Sequence, residues 1–191
     1  MLNVKDLDEI RQRMDAFDEV REELIKRSRV ILKLSKQIIY SLHRKDIETA
    51  GKFVLQIDKL MKELDALVED NTKLIYSGSF KVAVQEYVEA VCYYYFVKER
   101  RVPGHTELGV GGEYYLLGMC DLTGELVRKA VNAGIDADVQ EVLVIRDLVA
   151  EIYGEMLKFD FREGEIRKKF DSIKYDLKKL EDLVFQLKVK R

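Results

Sequence analysis

Apolar residues recur at intervals of three and four along nearly the whole chain, the spacing that lines one face of an α-helix. In the first segment, from about Asp6 to Arg44, the stripe is Ile10, Met14, Phe17, Leu24, Ile31, Leu34, Ile38 and Leu42. That segment is too long to be covered by one small bundle, so it is expected to project or to pack against a neighbouring subunit. Asp46 is placed to cap a second helix, whose stripe runs Ile47, Ala50, Val54, Ile57, Met61, Leu64 and Val68. Tyr76 to Ser79 reads as a turn, with Ser79 capping a third helix over Phe80 to about Arg101. The stretch from Val102 to Gly112 holds glycines and the single proline and reads as the one real loop.

A fourth helix is expected from Glu113 to Ala133, stopping at Gly134, and a fifth, capped by Asp136 or Asp138, reaching about Lys158. The last carries a heptad-like seam of Ile166, Phe170, Ile173, Leu177, Leu180, Val184 and Leu187. No segment alternates apolar and polar as a half-buried strand would. The expectation is all-α: an antiparallel bundle of six to seven helices with a long first helix, forming a single domain over 1–191. The seams themselves predict helix packing and self-association more than chemistry.

Composition narrows this further. One proline in 191 residues agrees with long uninterrupted helices. With 47% hydrophobic and 36% charged residues the chain has the balance of a soluble globular protein. Lys and Arg number 33 against 35 Asp and Glu, so any basic surface must come from local segregation of charge. Cys92 and Cys120 lack the spacing of a zinc site and read as small buried hydrophobes in a reducing, cytoplasmic setting. No apolar run reaches membrane-spanning length, and the first residues do not read as a signal peptide.

Most acidic residues have a cation one turn away, as Glu63 has Lys59 and Asp182 has Lys178. Glu86 and Glu89 do not. They lie three apart on one helix face, and around them at three or four residues stand Val82, Ala83, Gln85, Ala90, Cys92 and Tyr93. Two carboxylates so placed should repel, raise each other's pKa, or hold a cation. Asp121 and Glu125, four apart, form a second pair, and Gly118 and Gly124 lie three residues either side of Asp121. A glycine inside a helix costs roughly 1 kcal/mol against alanine, so both need a reason: close helix packing, or clearance for a metal ion and a phosphate. Four carboxylates on two helices suit Mg²⁺, with Mn²⁺ an alternative. A di-iron site would want Glu-x-x-His pairs, and neither His43 nor His105 stands three after a Glu. Both histidines read as incidental.

The run from Tyr114 to Leu126, YYLLGMCDLTGEL, resembles the signature helix of the translin family, in particular its translin-associated factor X branch. QEYVEAV at 85–91 resembles the same branch, while Lys26-Arg27-Ser28-Arg29 and Leu42-His43-Arg44 resemble the family's basic helix. The tail, IRKKFDSIKYDLKKLE at 166–181, is closer to translin itself. The resemblance implies a helical bundle assembling into a hollow homo-oligomer, typically an octamer, that encloses RNA. It also implies Mg²⁺-dependent endoribonuclease activity resting on Glu86, Glu89 and Asp121, with Glu125 as a fourth carboxylate for catalysis and metal binding. The chain departs from eukaryotic factor X proteins in its shorter 102–112 loop. In a lone prokaryotic homologue, one chain type must both bind and cut.

Arg29, Lys33 and Lys36 share a face of the first helix, with Arg27, His43 and Arg44 nearby. The expectation is a phosphate-contacting strip lining the oligomer's cavity, salt-sensitive, binding single-stranded RNA foremost, with duplex RNA and single-stranded DNA as further ligands. An ordinary solvated face is the plain alternative. Of Tyr93, Tyr94 and Tyr95, at least two are expected in the core rather than stacked on bases. Two further readings stand beside the nuclease: a non-catalytic single-stranded nucleic-acid binder of the translin type, and a structural helical scaffold.

Overall fold

The computed structural model describes residues 2–189, and among them every regular element is helical. Helix α1 (Val4–His43) is 40 residues long, about 60 Å at 1.5 Å per residue. Its burial begins only at Leu24; the earlier apolar residues Leu7, Ile10 and Met14 stay exposed, and Phe17 and Val20 are the first to touch the core. The first half of α1 therefore stands away from the bundle, as its length suggests. Lys45 takes a left-handed φ of 64° at the corner, and Asp46 accepts a hydrogen bond from the Thr49 amide at 3.0 Å to start α2 (Ile47–Glu69).

A single 3₁₀ stretch, Thr72–Tyr76, leads to α3 (Gly78–Glu99). The cap of α3 is Ser77, not Ser79: its hydroxyl accepts from the Phe80 amide at 3.2 Å, three residues on, the spacing of an N-cap, while Ser79 already lies in the first turn. The 102–112 stretch contains one short turn of helix, α4 (His105–Leu108), that the sequence pattern did not signal. Helix α5 (Gly112–Ile135) runs through Gly134 instead of stopping there. The left-handed position is taken by Ala137 (φ 59°), and Gly134 lies against the next helical layer, where an added Cβ would sit 3.3 Å from Leu183. Asp138 caps α6 (Val139–Met156) by accepting from the Glu141 amide; α6 ends two residues before the expected Lys158. Helix α7 (Glu165–Val189) closes the fold.

The short connections make sequential helices pack back on each other. Helix α3 is buried almost all round, with α1 and α2 on one side and α5 on the other; α5 in turn carries α6 and α7. Tyr93 and Tyr94 sit in this core, and Tyr95 is half-buried under the Arg101 guanidinium, 4.4 Å from its ring centre. Cys92 and Cys120 are free and buried. Helices α3 and α5 approach closely at Gly118: an added Cβ there would meet Val88 Cβ at 2.6 Å and the Gln85 carbonyl oxygen at 2.8 Å. Gly118 is thus a packing glycine. Gly124, by contrast, has no neighbouring atom within 4 Å of where its Cβ would be.

Candidate functional site

Because α3 is central, its Glu-x-x-Glu face cannot look straight out to solvent; it opens into a groove between α1 and α5. Glu86, Glu89 and Glu125 line that groove, with Arg128 beside Glu125 on α5, and Arg29, Lys33 and Lys36 of α1 line the opposite wall. The space between them is about 800 Å³. Three of the basic strip's members therefore face three of the four carboxylates.

Asp121 lies beside this group, and its carboxylate is held from a third helix. Lys169 of α7 donates to Asp121 Oδ2 at 2.5 Å and to Gln85 Oε1 at 3.2 Å. Glu125 is held from a fourth direction: His43 Nε2 is 2.5 Å from its Oε2, and Arg128 approaches the same oxygen at 3.7 Å. Among the described residues, Asp121 Oδ1 and Glu125 Oε1 have no hydrogen-bond partner, and neither Glu86 nor Glu89 has an ion pair within 4.0 Å. The site thus has two carboxylates anchored by one oxygen each and two that are unpaired.

The electrostatics follow from that geometry. Burial pushes the Glu89 carboxyl up to about 8, with the charges of Asp121, Glu86 and Glu125 adding to the rise and Lys169 opposing it. Glu86 is raised by burial too, an effect that Lys36 across the groove counters and Asp121 reinforces. Burial also raises Asp121, against its hydrogen bond from Lys169. Burial and its acidic neighbours thus favour the protonated form of Glu89 well above the range of a free glutamate. The charges interact over several ångströms, but direct chelation needs closer approach. Among the described residues no three His, Cys, Asp or Glu side chains form a ready-made metal-binding group.

The other residues of the basic strip lie elsewhere. Arg27 is turned to α2, donating to Glu23 at 2.8 Å and to Glu63 at 3.2 Å, and it does not line the groove. Arg44 is exposed at the end of α1, bonded to the Tyr40 hydroxyl at 3.1 Å, and Tyr40 itself lines the groove. His105 stays in its loop, within reach of the Val110 carbonyl. Sequence reasoning missed Lys169, which reads as one more cation of a solvated helix face, and set His43 aside. Only the fold brings them in, from 48 and 82 residues away along the chain.

No helix of the described residues is long and apolar enough to cross a membrane. The whole helical arrangement is shared with solved structures. The crystal structure of apo-NeC3PO superposes with a TM-score of 0.89 at 28% identity, covering 98% of each chain. The AfC3PO–duplex RNA complex gives 0.90 at 24% identity over 97% of this chain and 98% of that one. In sequence, an uncharacterized protein of Methanocaldococcus jannaschii is 30% identical over 75% of this chain and 64% of its own length. The translin-associated protein X of Pongo abelii is 28% identical over 94% of this chain and 76% of its own length. The Translin family pattern matches residues 19–191, all but the exposed start of α1, and the chain belongs to the translin family.

Proposed function

We propose that this protein is a metal-dependent endoribonuclease that binds RNA as a homo-oligomer and hydrolyses its phosphodiester bonds. The observation that carries the reading is the pairing of a basic wall with an under-neutralised acidic floor. Arg29, Lys33 and Lys36 stand across one groove from Glu86, Glu89 and Glu125, and the anchored Asp121 and Glu125 each keep one oxygen free of hydrogen bonds. A related fold has been solved with duplex RNA bound, which supports RNA as the ligand class. The unburied apolar stripe Leu7, Ile10 and Met14 supports self-association through α1, the octamer being the family expectation.

The donor set suits Mg²⁺ or Mn²⁺, which bind hard oxygens and keep several waters, so that a complete protein cage is not required. Glu86, Glu89, Asp121 and Glu125 would hold it. A divalent cation there supplies an activated water and neutralises charge growing on the phosphoryl oxygens. The chain's own groups do the rest. The α1 strip lays backbone phosphates along the groove, and Lys169 and His43 fix two of the carboxylates in place.

A second reading, binding without cutting, is favoured by the lack of three converged ligands among the described residues. Incubating purified protein with labelled single-stranded RNA in Mg²⁺ or in EDTA separates the two. Cutting in Mg²⁺ alone supports the nuclease, and binding without cutting under both conditions leaves the binder. In the same assay the triple variant Arg29→Ala, Lys33→Ala, Lys36→Ala should bind RNA less tightly and less salt-dependently. Each lost phosphate contact on a single strand removes about 0.7 from the slope of log affinity against log salt, so a drop of about 2 is expected. An unchanged slope would remove the strip from the RNA surface.

A further inference from the structure

His43 is the last residue of α1, and its side chain is only 6% exposed. It has two polar contacts: Nε2 to Glu125 Oε2 at 2.5 Å and Nδ1 to the Tyr93 hydroxyl at 3.3 Å, with the two rings 5.3 Å apart. An ionised carboxylate oxygen only accepts, so Nε2 carries a proton. The Tyr93 hydroxyl, which can donate or accept, meets Nδ1 on the other side of the ring. Tyr93, 1% exposed in the core, thereby holds the ring in one orientation, and the imidazole in turn holds Glu125.

The closest approaches of both His43 and Arg128 to the Glu125 carboxylate are to Oε2, and Oε1 has no hydrogen-bond partner among the described residues. The imidazole orients the Glu125 carboxylate through one oxygen, as Lys169 does for Asp121. We propose that His43 is a positioning residue of the carboxylate site: locked by Tyr93, it holds Glu125 by Oε2 and leaves Oε1 to take a divalent cation. The inference rests on the metal reading given above and adds to it a supporting relay from the core. Groups that orient metal ligands in this way are worth about 10- to 100-fold in metal affinity.

The chain has only two histidines, so selective ¹⁵N-histidine labelling of the full-length protein gives two ring systems to assign, His43 and His105. Long-range ¹H–¹⁵N spectra should show His43 protonated at Nε2, and Tyr93→Phe should turn that single form into a mixture. A His43 ring bare at Nε2 would overturn the relay. The second arm is Mn²⁺ binding, followed by electron paramagnetic resonance. His43→Ala should weaken it by about 10- to 100-fold, and His43→Gln, which can still donate an amide N–H to Glu125, should restore most of the loss. Circular dichroism melts confirm that each variant is folded. Mn²⁺ bound by the wild type and equally well by folded His43→Ala would overturn this inference alone. No Mn²⁺ bound by the wild type would overturn the metal reading and this inference with it.

Discussion

Changing Glu86 and Glu89 together to glutamine is expected to lower metal-dependent RNA cleavage by at least about 100-fold, the scale on which removal of a transition-state charge stabiliser acts. RNA binding should survive, because it rests on Arg29, Lys33 and Lys36 across the groove. Glutamine keeps the size of the side chain and removes only the charge, so the variant also reports on stability. Glu89 has its pKa raised from 4.5 to about 8 in the folded protein. Between those values the folded state binds more protons than the unfolded one, so stability falls as pH rises through that window and levels off above it. A glutamine does not titrate. In EDTA the double variant should therefore melt above the wild type at pH 8 to 9, with the gap closing as pH falls toward 4.5. Cleavage within a few-fold of wild type would remove these two residues from the chemistry, and a gap independent of pH would mean that their burial does not strain the folded state.

The fold was legible because its information is local. Stripes at three and four residues name the helices, and Asp46 and Asp138 cap where their side chains can reach an amide three residues on. Boundaries slipped where two residues compete for one role. Ser77 and Ser79 are both good caps, and the register of the 3₁₀ stretch before them decides between them. Gly134 looked like a helix stop because glycine tolerates left-handed backbone, yet α7 needs its missing side chain for Leu183 to pack, and Ala137 turns the corner. Glu86 and Glu89 could be picked out because they lack a local counter-ion, Asp121 because it stands between two glycines, and Glu125 because it shares a helix face with Asp121. Their partners could not. Lys169 and His43 are ordinary residues on their own helices and acquire meaning only through contacts made across the bundle. Arg27 shows the reverse: it has the strip's charge, but Glu63 of α2 claims it.

Gly118→Ala is expected to be the most damaging single methyl group in the protein. Alanine in place of glycine should favour the helix by about 1 kcal/mol, but the added carbon would lie 2.6 Å from Val88 Cβ and 2.8 Å from the Gln85 carbonyl oxygen. Neither neighbour is the free end of a flexible side chain, so α3 and α5 must move apart, at a cost of about 1–3 kcal/mol or more. Each net kcal/mol lowers the melting temperature of a chain this size by roughly 2–4 °C. The displacement falls on the turn of α3 that carries Glu86 and Glu89, and Asp121 is one turn from Gly118 on α5, so Mn²⁺ binding should weaken along with stability. Gly124→Ala supplies the contrast, since nothing lies within 4 Å of its added carbon. It should melt at or above the wild-type temperature. If it nevertheless loses RNA affinity or cleavage, Gly124 is kept to leave room for the substrate beside Asp121 and Glu125. Melting that is unchanged in Gly118→Ala would instead mean that the α3–α5 contact yields without cost, and the account of how the two acidic pairs are held at their spacing would fail with it.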